Sequence, residues 1–107
     1  MPTYNKLVRD KIPAIIDQTG KKYEVRKLNN EEYIEELKKK AYEELNEFVE
    51  AKDRESSLEE LGDLLEVINA VAVYHGSTLE EINSIRQQKE EKRGSFGEKI
   101  FLIEVED

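Results

Sequence analysis

The chain has no cysteine and no tryptophan, a single histidine, a single methionine and two prolines. Without cysteine there is no disulfide, no zinc–thiolate centre and no cysteine nucleophile. With His75 as its only imidazole, one chain cannot build a multi-histidine metal site. Positive charge is also in deficit: 17 Lys and Arg stand against 25 Asp and Glu, a formal net charge of -8. That balance argues against non-specific binding to a nucleic-acid polymer or an anionic membrane, both of which need a basic face. Long apolar runs are missing as well. The longest uncharged stretch, Val67 to Leu79, contains Asn69, His75, Gly76, Ser77 and Thr78 and is no membrane span. The opening Met1-Pro-Thr-Tyr-Asn-Lys has no apolar signal core. A reduced cytoplasmic protein with no membrane partner is expected.

What is present fits one domain over 1–107. Hydrophobic residues make up 37% and charged residues 39%, so the core is thin. Burial of further apolar surface between subunits, in a homodimer or larger homo-oligomer, is expected.

Periodicity predicts a mainly helical chain. Pro13 and Gly20 bracket a short helix from about Ile12 to Thr19. Asn29-Asn30 suits an N-cap before a long helix to about Ala51. Its apolar positions Ile34, Leu37, Ala41, Leu45 and Phe48 recur at spacings of three and four. The stretch Lys52-Asp53-Arg54-Glu55-Ser56 breaks it. Ser57 and Glu60 have capping-box spacing before a helix with Leu61, Leu64, Leu65, Ile68, Val71 and Ala72 inward and Gly76 at its end. Thr78 and Glu81 suggest a second capping box, opening a last helix that carries Leu79, Ile82 and Ile85 and ends near Gly94. Lys22 to Leu28 and Lys99 to Val105 read as strands, paired into a two-stranded β element because a lone strand leaves its backbone groups unpaired.

Two acidic motifs flank the helical break: Glu43-Glu44-Leu45-Asn46-Glu47 and Glu60-Leu61-Gly62-Asp63. Carboxylates three residues apart share a helix face, roughly 4.5 Å apart along the axis. In an antiparallel hairpin, level residues have position numbers with a constant sum, and Glu44/Asp63 and Glu47/Glu60 share that sum. Both pairs are symmetric about a centre between Asp53 and Arg54, where the helix breaks. Four carboxylates gathered beside an apolar seam repel one another unless a cation compensates. Magnesium, with its preference for oxygen ligands, suits them. Four carboxylates can hold two ions about 3.5–4 Å apart, as two-metal phosphoryl chemistry requires. Gly62, inside the second motif, costs its helix about 1 kcal/mol against alanine and allows close approach of a metal or a backbone. A plainly solvated acidic face is the competing reading of the same residues.

Glu-Glu-x-x-Glu, twelve residues, then Glu-x-x-Asp resembles the signature of the MazG-like all-α nucleoside triphosphate pyrophosphohydrolases. That superfamily also holds phosphoribosyl-ATP pyrophosphohydrolase and dimeric dUTPases. The segment Tyr4-Asn5-Lys6-Leu7-Val8-Arg9-Asp10-Lys11-Ile12-Pro13, with Lys92-Arg93-Gly94-Ser95-Phe96, is similar to a small single-domain branch of predicted house-cleaning enzymes for non-canonical nucleotides. The resemblance implies an antiparallel helical hairpin within a MazG-like bundle. It implies that Glu44, Glu47, Glu60 and Asp63 ligate magnesium, with manganese as a substitute. The implied reaction cleaves a nucleoside triphosphate between the α and β phosphates, giving monophosphate and pyrophosphate, with a metal-activated water as the attacking group. Glu47 is the expected orienter of that water, while Glu43 matches the leading glutamate of the motif.

A triphosphate also needs cations. Lys40, one turn before Glu44, is a candidate phosphate ligand, or else a partner of that glutamate. Lys6, Arg9, Lys11, Lys92 and Arg93 cluster in two loop-like segments and complete the candidate substrate-binding set with Asn69. Tyr4, Tyr74 and Phe96 are candidate base-stacking or core aromatics, and His75 suits a helix C-terminus. Two alternatives stand beside this reading: phosphoribosyl-ATP pyrophosphohydrolase, and a helical interaction module without catalysis.

Overall fold

The computed structural model describes residues 2–107 and contains four helices. They are α1 (Ile12–Gln18), α2 (Asn30–Glu50), α3 (Arg54–Tyr74) and α4 (Leu79–Arg93). The antiparallel hairpin of α2 and α3 is the frame of the molecule, and α4 packs more lightly on α3.

The local chemistry of the helix ends explains where the elements lie. Asn29 caps α2 by accepting from the Glu32 N–H at 2.9 Å, and Glu32 reaches back to the Asn29 N–H. This reciprocal pair satisfies two of the backbone donors that a helix start leaves free. The start of α3 differs from the expectation. Asp53, not Ser57, is its N-cap: the Asp53 carboxylate accepts from Ser56 N–H at 2.7 Å, and Ser57 lies inside the first turn. A carboxylate four residues earlier caps just as well as a hydroxyl, and it shortens the loop to a few residues. The end of α3 is a Schellman motif: Gly76, at φ 73°, donates to Val73 O, and Ser77 donates to Ala72 O. At α4, Thr78 accepts from Glu81 N–H at 3.1 Å. The Glu81 carboxylate does not return to the cap but takes the Ser77 hydroxyl.

The expected β element is absent among the described residues. Neither 22–28 nor 99–105 forms a strand. The first segment is strongly charged, and its Val25 is 60% exposed. The second follows α4, and its apolar side chains Ile100, Phe101, Leu102, Ile103 and Val105 are exposed.

The hairpin seam also runs differently from the periodicity. Among the described residues the buried apolar side chains are Leu37, Val67 and Ala72. On α2 the inward stripe passes through Leu37, Ala41, Glu44 and Phe48, and Leu45 stands out in solvent. On α3 it passes through Leu64, Val67 and Val71, while Leu61, Leu65 and Ile68 are turned outward. Both stripes still obey the three-four spacing; the outward residues form a second such stripe beside the first.

Candidate metal centre

Glu44 occupies a core position of the α2 seam and is the buried polar residue among those described, with 9% of its surface exposed. Glu47 lies one turn on along α2, exposed, and Glu60 of α3 is half-buried across the hairpin. One carboxylate oxygen from each of Glu44, Glu47 and Glu60 can be chosen so that all three lie within 4.8 Å of one another. The register deduced from the two acidic motifs thus brings three of the four expected carboxylates together.

Asp63 is placed differently. Its Oδ1 accepts from Arg9 Nη2 at 2.8 Å. The segment before α1 therefore lies against the first half of α3, and the nearest guanidinium neutralises the fourth carboxylate. Asp63 still lies close enough for its charge to act on Glu44 and Glu60.

The electrostatics of the cluster are unfavourable as it stands. Burial first, then the neighbouring Glu47 carboxylate, then the charge of Asp63 push the Glu44 carboxyl up to about 7, against a weaker opposing pull from Lys40. The neighbouring Glu47 carboxylate first, then desolvation, then the charge of Asp63 raise Glu60, while Glu44 works the other way. Glu44 Oε2 and Glu60 Oε2 are both sealed from solvent without a hydrogen-bond partner. A buried polar atom left unpaired costs roughly 1–3 kcal/mol, more when charged. Two such oxygens, on facing helices, fit a hard cation: it would satisfy both lone pairs and remove the repulsion together.

The other candidates fall around this centre or away from it. Lys40, with a side chain 19% exposed, reaches Glu43 Oε2 at 3.5 Å instead of Glu44. It stands on the same side of α2 as Glu47, since both precede a seam position by one residue. Asn69 donates to Glu66 at 3.4 Å along α3. Lys6 lies 5.9 Å from the centre of the Tyr4 ring. Lys11 is the N-cap of α1 but makes no side-chain cap bond. Lys92 and Arg93 occupy the exposed last turn of α4. Tyr74 packs against Tyr33 and His75 at 6.2 Å and 5.1 Å, whereas Tyr4 and Phe96 are 73% and 93% exposed. Gly62 has no neighbour within reach of an added Cβ, so no backbone approaches it.

Two features escaped the sequence reading. The Arg9–Asp63 pair joins residues 54 positions apart, and no local spacing signals it. The burial of Glu44 had a signal: it continues the stripe Leu37, Ala41 toward Phe48 as well as Leu45 does. No family model, curated protein or solved structure matches the chain.

Proposed function

We propose that the chain is a magnesium-dependent hydrolase that cleaves a nucleoside triphosphate, canonical or modified, to the monophosphate and pyrophosphate. The observation that carries this reading is the pair of sealed, unpartnered oxygens of Glu44 and Glu60 within a three-carboxylate cluster. A solvated acidic face has no buried member, and Glu44 is buried. The two acidic motifs and the segment from Tyr4 to Pro13, by their resemblance to the MazG-like enzymes, supply the substrate class.

In this reading Glu44, Glu47 and Glu60 would hold the metal, with Asp63, now paired with Arg9, as the fourth ligand. Bound magnesium supplies positive charge to the phosphates and lowers the pKa of a coordinated water. Glu47 is the exposed member of the cluster, so it would be the carboxylate to orient an attacking water and accept its proton. Lys40, on the same side of α2, and Arg9, once released from Asp63, answer the phosphate charge. Lys6, Lys11, Asn69, Lys92 and Arg93 are substrate contacts of this reading only if the segments carrying them close toward the hairpin. The working unit is a homo-oligomer.

The test is a panel of canonical and modified nucleoside triphosphates incubated with the full chain and magnesium, or manganese, with pyrophosphate and orthophosphate measured separately. Release of pyrophosphate with the matching monophosphate, abolished by chelator, is expected. Orthophosphate alone, or no release from any substrate, removes the assignment.

A further inference from the structure

The N-terminal part of the chain is tied to the hairpin by very little. Among the described residues, α1 makes no close backbone approach to another helix. The side-chain hydrogen bonds of the stretch that follows are local, from Tyr23 to Asp17 and from Arg26 to Glu32. Arg9 is the exception, because it crosses 54 positions to reach Asp63 at 2.8 Å. The Arg9 side chain is 60% exposed and that of Asp63 43%. An ion pair as wet as this one shifts an equilibrium by no more than about fivefold. It holds the segment in place, and it can be exchanged.

Asp63 has a second claim on it from the metal reading, in which it is the fourth ligand. It is level with Glu44 in the hairpin register. Yet the oxygens that lie within 4.8 Å of one another come from Glu44, Glu47 and Glu60, and Asp63 is outside that group. Neighbouring donors around one octahedral magnesium ion are roughly 3 Å apart. Asp63 therefore has to leave its present position on Arg9 and turn toward the cluster before it can be a ligand. The guanidinium cannot follow it at no cost. It would be carried against a divalent cation, and like charges a few ångströms apart in a partly buried site repel strongly.

We propose that Arg9 and the metal compete for Asp63, so that residues 2–11 form a latch that rests on α3 through Arg9 and is released when Asp63 becomes a ligand. The latch rests on the metal reading and adds regulation to that site. It sets an order of events. Arg9 becomes available to an anionic substrate only after Asp63 has left it, so the positive charge of this segment is held back until the carboxylates are loaded. The coupling is reciprocal: the factor by which loading weakens the latch is the factor by which the latch weakens loading.

The cysteine-free sequence permits a spin-label pair at Thr3→Cys and Glu59→Cys, both exposed positions. Labelled chain diluted into excess unlabelled chain gives the distance distribution within one molecule by pulsed electron resonance. Magnesium, being diamagnetic, is the probe, and titration calorimetry with the melting temperature reports its binding independently. In chelator a short, narrow distance should dominate. Saturating magnesium should replace it with a broader and longer distribution. Arg9→Gln and Asp63→Asn should each show the broad distribution in chelator already. Arg9→Gln should also bind magnesium about twofold to fivefold more tightly. Lys11→Gln removes the same charge two positions away, from a side chain that makes no cap bond, and should change the affinity less than about twofold. A parent chain whose melting temperature rises with magnesium while its distances stay unchanged overturns the latch and leaves the metal reading standing. An unchanged magnesium affinity in Arg9→Gln overturns the latch as well. No magnesium response in either the parent or Arg9→Gln removes the metal reading and the latch with it.

Discussion

Glu44 is where the fold and the proposed chemistry make opposite demands, so its neutralisation is the most informative perturbation. Its carboxyl is raised from 4.5 to about 7, first by burial and then by Glu47 and Asp63. A raised carboxyl is favoured in its protonated form by the folded state. In a chelator, therefore, the folded chain loses stability as pH climbs from the unfolded value near 4.5, and the loss is complete above the folded value. The full difference corresponds to about 3 kcal/mol, shared among the coupled carboxylates. For a domain of this size that is on the order of ten degrees of melting temperature.

The assay is thermal unfolding by circular dichroism at fixed protein concentration, from pH 5 to pH 8, in chelator and in magnesium. In chelator the melting temperature should fall across this window. At pH 8, saturating magnesium should restore it, by about 2.7 kcal/mol at a hundredfold excess over the dissociation constant. Glu44→Gln mimics the protonated carboxyl: it should melt higher than the parent at pH 8 in chelator, flatten the pH dependence and abolish the magnesium effect. Because the chain carries a net charge of -8, general charge repulsion also weakens on acidification. Glu59→Gln, which removes the same charge from an exposed position of α3, controls for that and should leave both the slope and the magnesium response intact. A melting temperature flat or rising from pH 5 to pH 8 in chelator, or a Glu44→Gln chain less stable than the parent at pH 8, would refute the reasoning.

Three further outcomes follow from the same geometry. Glu47→Gln and Asp63→Asn should each lower pyrophosphate release at least a hundredfold, with the helical circular dichroism unchanged; activity within tenfold of the parent would take that residue out of the site. Asn29→Ala removes half of the reciprocal cap of α2 and should cost about 1 kcal/mol, read as a lower denaturant midpoint at an unchanged slope. Gly62→Ala places its methyl in open space within α3 and should stabilise by up to about 1 kcal/mol; a destabilised chain would mean that a second backbone or a bound ion does approach Gly62.

The sequence made some of these features readable and concealed others for physical reasons. Helix existence and the hairpin register followed from spacing, because apolar period and carboxylate symmetry are both local properties of one antiparallel pair. The cap of α3 was misplaced because Asp53 and Ser57 are both competent caps four residues apart, and sequence alone does not rank them. The two strands were expected from the loose alternation of Lys22 to Leu28 and the apolar run of Lys99 to Val105, yet neither forms, because pairing depends on a distant segment that no local pattern specifies. Arg9–Asp63 belongs to the same class of long-range contact.

The choice of seam is the most instructive of these differences, because it decides what the chain can do. On α2 the positions Glu44 and Leu45 both continue the three-four pattern from Ala41, and hydrophobicity favours Leu45. The hairpin instead turns Glu44 inward. Taken as a monomer this choice is perverse, since it buries a charge and exposes a leucine. It becomes economical if the hairpin acquires partners. A cation satisfies Glu44 and Glu60; a partner subunit of the proposed homo-oligomer covers Leu45, Leu61 and Leu65. Restoring Leu45 to the seam would rotate Glu44 into water and disperse the cluster, while removing apolar surface that a partner subunit can cover. A single rotation of about 100° thus links the proposed metal site to the proposed homo-oligomer, and the free energy that holds Glu44 in the seam has to come from surfaces that the isolated protomer leaves bare.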